Sequence, residues 1–132
     1  MNVTTLVAGG IVGAHGIGHV LGWLPALGLA RFEGVSGRSW VFGQLGEGIE
    51  RVAGGLLFAL PTVGFAAVAA GLLSGQPWLR GVAVASAAVS VVATAAFPRA
   101  LPTSSTVGSV LVNAAVLVVV LGTSWQPVPA AG

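Results

Sequence analysis

Apolar positions fall into four long runs with short polar segments between them, and no run alternates with the period of two that marks a half-buried strand. A membrane-spanning helix needs about 20 mostly apolar residues, so each run is long enough to cross a bilayer. The pattern predicts spans over residues 3–24, 47–73, 78–97 and 107–121. Trp23 and Pro25 close the first, at the level where amphipathic rings anchor among lipid headgroups. Pro61 falls near the middle of the second, where a missing backbone donor and a ring clash predict a kink. Pro98 and Pro102 end the third; Trp125, Pro127 and Pro129 follow the fourth. Residues 26–46 form the longest loop, polar and glycine-rich in its first half. The expected fold is all-α: an up-down four-helix transmembrane bundle, with residues 1–132 as a single integral membrane domain. Trp23 and Trp40 then lie at one membrane face, and Trp78 and Trp125 at the other.

Composition narrows the chemistry. Of 132 residues, 55% are hydrophobic and 6% charged, and the mean hydropathy of +0.98 argues against an ordinary water-soluble domain. Cys, Lys, Asp and Tyr are absent, which excludes disulfides, thiol redox pairs, cysteine-held iron–sulfur clusters, a lysine Schiff base and a P-loop. The isoelectric point near 11.4 rests on five scattered arginines against three glutamates, with no basic run to follow a phosphate backbone, so nucleic acid is not an expected partner. Arg31, Arg38 and Arg99 flank the first and third loops against Arg80 opposite, which by the positive-inside rule places those loops in the cytoplasm.

Lipid gives helices little hydrophobic reason to associate, so small residues must let backbones approach. Gly10, Ala14, Gly18 and Gly22 recur every four residues in span one, widened by Gly9 and Gly13. This ridge is expected to pack against a neighbouring span, with Ala83, Ala87 and Ser90 of span three as the candidate partner surface, or to form a homodimer seam.

Ionisable groups inside a bilayer cost on the order of 3 kcal/mol each by insertion scales, so each needs a partner or a purpose. His15 and His19 are four apart and share a helix face; at about 1.5 Å per residue from Trp23 they lie about 12 and 6 Å deep. Span two starts at the same membrane face with Glu47, Glu50 and Arg51, the first and last at the favourable i,i+4 spacing. Capping and snorkelling account for this triplet as well as function does. Span four brings Asn113 to matching depth, where an amide needs partners within the bundle. The convergence predicts an intramembrane polar pocket of His15, His19, Glu47, Glu50, Arg51 and Asn113, with a structural polar network as the alternative.

The segment His15-Gly16-Ile17-Gly18-His19-Val20-Leu21-Gly22 resembles the His-Gly-x-x-His-x-x-Gly motif of a group of small bacterial four-helix membrane proteins, loosely DoxX-like in architecture. The resemblance extends to a glycine-rich start of span two followed by arginine (Gly46, Gly48, Arg51) and to Asn113 in span four. It implies a shared fold and polar pocket in a bacterial inner membrane, and no activity or cofactor. DoxX-like redox roles do not carry over, since no matching redox motif is present.

Three classes of function stay open. The pocket suits an amphipathic small molecule such as a quinone or lipid, its polar head held by imidazole, Arg51 and Asn113. His15, His19 and Glu50 together match common Zn or Fe ligand sets, whereas haem would need a histidine from each of two helices or protomers. The third class is a non-enzymatic subunit of a larger membrane complex, for which an outward-facing glycine ridge would be the mark. Glu50 and His19 would be the acid/base pair of an enzyme, but no nucleophile or substrate is indicated. The topology makes a direct prediction: cysteines placed at Ser36 and Ser104 react with an impermeant maleimide from one side of the membrane, and those at Ser74 and Gly132 from the other. Any other grouping in a sidedness assay overturns the up-down bundle.

Overall fold

A computed structural model describes residues 3–122, which contain helices and no strand. Helices α1 (Val3–Gly18) and α2 (Val20–Ala26) together make the first span; α3 (Glu47–Ser74), α4 (Leu79–Ala96) and α5 (Thr103–Gly122) make the others. All four spans are long and apolar enough to cross a membrane. A short 3₁₀ turn, Phe42–Leu45, leads into α3. Span four starts at Thr103, four residues ahead of the expected position, because Thr103 to Thr106 continue the helix instead of forming a polar loop. Trp125, Pro127, Pro129 and Gly132 lie outside the described residues.

Helix α3 passes through Pro61 without interruption, and the break in a span lies elsewhere, at His19. There the His19 amide bonds the Gly16 carbonyl at 3.2 Å, an i−3 pairing, while the His19 side chain donates from Nδ1 to the His15 carbonyl at 2.9 Å. The side chain has taken the acceptor that the backbone amide would use in a regular α-helix, which tightens the turn.

Small residues bring the helices together, but not along the expected ridge. Gly10 and Gly18 face open space and Ala14 is exposed; the packed face is Gly9, Val12, Gly13 and Gly16. A Cβ on Gly16 would sit 2.9 Å from Cβ of Phe65 and 3.2 Å from the Thr62 carbonyl, both on α3. Span one therefore packs along span two, and span three is not its main partner. The reason is angular: steps of four residues advance about 40° beyond a full turn, so the Gly10 to Gly22 series drifts about 120° around the helix. The packed set, at offsets of three, four and seven from Gly9, stays on one face. Gly22, beyond the break, does pack, with its would-be Cβ 2.7 Å from the Phe58 ring.

The Ala83, Ala87, Ser90 ridge of α4 points inward, all three residues being at most 1% exposed. Its neighbour is α3, where a Cβ on Gly64 would overlap the Ser86 hydroxyl. Two apolar clusters result. Phe58, Ala93, Phe97 and Leu101 fill the end near loops one and three, while Phe65, Val68, Leu72 and Leu79 fill the other. Polar residues of α1, α4 and α5 lie between them.

The C-terminal ends of α4 and α5 have orphan carbonyls capped by side chains. The Ser39 hydroxyl donates to the Ala96 carbonyl at 2.7 Å and the Trp40 indole to that of Ala95 at 2.6 Å, which pins loop one onto the end of α4. At the opposite end the Arg80 guanidinium donates to the Val120 carbonyl near the C-terminus of α5. The packing predicts that Gly16→Leu destabilises the bundle by about 1–3 kcal/mol through overpacking, whereas Gly18→Leu is nearly neutral. Detergent thermal denaturation of the two variants checks it, and equal midpoints would show that the Gly16 face is not a helix contact.

Candidate functional site

The polar residues expected in one pocket form two separate groups. Inside the bundle lie His15, His19 and Asn113, joined by Ser90 of α4 and Ser109 of α5; at the membrane face lie Glu47, Glu50 and Arg51 with loop one. Glu50 precedes Phe58, whose ring lies 6.3 Å from that of His19, by eight residues of α3, or about 12 Å of helix. Phe58 and its neighbour Phe97 separate the two levels.

The inner group is a directed hydrogen-bond chain. His19 Nδ1 must donate to the His15 carbonyl, because a carbonyl only accepts; the neutral ring then presents Nε2 as an acceptor. The Ser90 hydroxyl supplies the donor there, at 2.6 Å. With its single proton committed, Ser90 accepts from Asn113 Nδ2 at 2.7 Å, and the same amide nitrogen reaches Ser109 Oγ at 3.5 Å. Asn113 Oδ1 therefore accepts from His15 Nε2–H at 3.1 Å. One acceptor-only carbonyl fixes the tautomer of both histidines and the orientation of the amide. His19, Ser90 and Asn113 are almost wholly enclosed, with the Phe65 ring 4.7 Å from His15 and 6.0 Å from His19. His15 is half-buried, and its Nδ1 has no hydrogen-bond donor among the described residues.

Below this chain, toward the α1 N-terminus, a cavity of about 470 Å³ separates α1 from α5. Apart from Thr4 its lining is aliphatic. Of its lining residues, Ile11 and Val12 lie within one turn of His15 along α1, and Val112 and Val116 within one turn of Asn113 along α5, whereas His15 and Asn113 do not themselves line it.

The outer group is built around the buried carboxylate of Glu50, which accepts from the Ser39 amide at 2.6 Å and pairs with Arg38 at 3.0 Å. Ser39 in turn accepts from the amides of Val41 and Phe42 at 3.2 and 3.1 Å, shaping the turn before α3. Glu47 and Arg51 pair at 2.5 Å, but both are more than half exposed, and such a pair adds less than about 1 kcal/mol. Arg38, Glu47, Glu50 and Arg51, with Arg31, line a surface cleft of about 410 Å³.

His15, His19 and Glu50 do not gather as a ligand set, and no group of three His, Cys, Asp or Glu side chains among the described residues is placed to hold a metal ion. The two imidazoles meet edge to face at 4.7 Å, with three of their four nitrogens engaged in the chain. Ser39 and Ser109 were not singled out from the sequence, and Ser90 figured only as a small packing residue. A serine facing histidine at matching depth is the available signal, but it needs the pairing of α1 with α4 to be read. Comparison with protein-family models, curated proteins and solved structures finds no match to this chain.

Ser90→Ala removes both the donor to His19 and the acceptor for Asn113, and leaving such buried groups unmatched costs about 1–3 kcal/mol. Adding His19→Phe to Ser90→Ala should cost less than the sum of the single changes, as measured by equilibrium unfolding in mixed micelles. Strict additivity would break the chain as described.

Proposed function

We propose that this protein is a multi-pass membrane protein that holds an amphipathic small molecule, its apolar chain in the groove between α1 and α5 and its polar head against His15 and Asn113. The observation carrying the reading is an aliphatic groove of about 470 Å³, within the range of about 300–1,000 Å³ usual for small-molecule sites, whose Val12 and Val116 lie one turn from His15 and Asn113, together with the unoccupied acceptor His15 Nδ1. The head is uncharged, because a charge at this depth is costly and the inner group offers two imidazoles, an amide and hydroxyls in place of counter-ions. A hydroxyl donor fits Nδ1. A quinone in its reduced form, or another isoprenoid or lipid with a hydroxyl head, meets both demands. The location that goes with this reading is a bacterial inner membrane, with loops one and three on the cytoplasmic side.

A second reading has its own support. Gly10, Ala14 and Gly18 present a small-residue strip to the bundle exterior, as a subunit docking on a larger membrane complex, or on a second copy, would need.

One preparation separates the readings. Protein extracted gently from membranes is analysed by native mass spectrometry, organic extraction and elemental analysis, as wild type, His15→Phe and Ala115→Trp, the last filling the groove from its exposed rim. The ligand reading expects a stoichiometric hydroxyl or quinone lipid in wild type, with at least tenfold less in both variants, and with Ala115→Trp, which leaves the hydrogen-bond chain intact, still folded. A partner lost in Ala14→Leu supports the docking reading, and equal lipid content in all variants rejects the groove.

A further inference from the structure

The surface cleft of about 410 Å³ is chemically unlike the groove. Arg31, Arg38 and Arg51 line it together with Glu47 and Glu50, so three guanidinium groups face two carboxylates. Both carboxylates are already engaged, Glu50 by Arg38 and the Ser39 amide, Glu47 by Arg51. Arg31 forms no ion pair or side-chain hydrogen bond among the described residues, which leaves one uncompensated positive charge at the cleft. Gly28 sits over Arg51 with φ of +72°, a backbone conformation that favours glycine; a Cβ there would lie 3.7 Å from the guanidinium carbon. Gly28 and Arg51 both line the cleft, and a larger side chain at position 28 would lie against the guanidinium.

The level of the cleft in the membrane narrows the ligand. Its walls come from the end of α2, loop one and the first turns of α3 and include Phe32, 42% exposed; Trp40, on the same loop, is 68% exposed. Exposed aromatic rings at the end of a spanning bundle mark the headgroup layer. Guanidinium groups bind phosphate through paired N–H donors, and they do so more strongly where water is partly excluded.

We propose that this cleft binds a phosphate group, with Arg31 and Arg51 as the donors and Arg38 held back by Glu50, and that the group belongs to an anionic phospholipid of the surrounding leaflet. Phosphate dissolved in the water layer is the other source of the same chemistry. The proposal is independent of the groove, which shares no residue with the cleft.

The test uses the full chain in detergent, titrated with phosphatidylglycerol, phosphatidylcholine or inorganic phosphate and followed by native mass spectrometry and thermal shift. Arg31→Gln is the probe, since no internal contact depends on it. Arg99→Gln, an exposed arginine on loop three at the same membrane face and outside the cleft, is the control for general surface charge. Phosphatidylglycerol is expected to bind at least fivefold more weakly to Arg31→Gln than to wild type, with Arg99→Gln unchanged and phosphatidylcholine bound less well than phosphatidylglycerol. Saturable binding of inorganic phosphate with no preference among the lipids, lost in Arg31→Gln, would keep the phosphate site and overturn the lipid as its source. Equal loss in the two variants, or no saturable binding of any of the three, would overturn the site.

Discussion

The His15 carbonyl can only accept a hydrogen bond, and that restriction propagates through the centre of the molecule. It makes His19 donate from Nδ1, Ser90 donate to His19, Asn113 donate to Ser90 and His15 donate to Asn113. Three spans are thereby tied at one level by groups that have no water to turn to, so each is held by the need of the next. The apolar clusters above and below contribute contact area without direction. The chain contributes direction, setting which face of α1, α4 and α5 looks inward.

The same interaction shapes the backbone. Because the His19 side chain occupies the carbonyl that its own amide would have bonded, the first span breaks into α1 and α2, and α2 with loop one carries on to the membrane face. There Glu50, Ser39 and Trp40 fasten the loop to the ends of α3 and α4. A buried carboxylate is costly unless paired, and Glu50 is paired twice, so it acts as an anchor for the loop and stands apart from the histidines.

The spans were legible because bilayer thickness acts directly on sequence: about 20 apolar residues in a row have few alternatives to a spanning helix. The polar residues at depth were legible for the same reason, since His15, His19 and Asn113 stand out against valine and alanine. Their grouping was only half legible. Depth alone placed Glu50 with the histidines, and depth counted along separate spans says nothing about what stands between the two groups, where the Phe58 and Phe97 rings lie. The glycine ridge misled because a repeat of four looks regular in sequence and drifts on a helix of 3.6 residues per turn. Gly16, which touches α3, breaks the repeat. Serine was the least visible, because Ser90 is equally at home as a small packing residue and as a hydrogen-bond relay, and only its neighbours decide.

The separation of His15 and Asn113 along the chain, 98 residues, sets a delay as the protein is made. At a synthesis rate of about 5–20 residues per second, roughly 5–20 s pass between the appearance of the first histidine and that of the amide that will accept its hydrogen bond. Ser90, which serves His19, arrives 71 residues after it. Until Asn113 arrives, His15 Nε2–H must wait without its acceptor, sheltered by the insertion machinery or by water at the membrane face, while His19 is matched earlier, by the His15 carbonyl of its own span and then by Ser90.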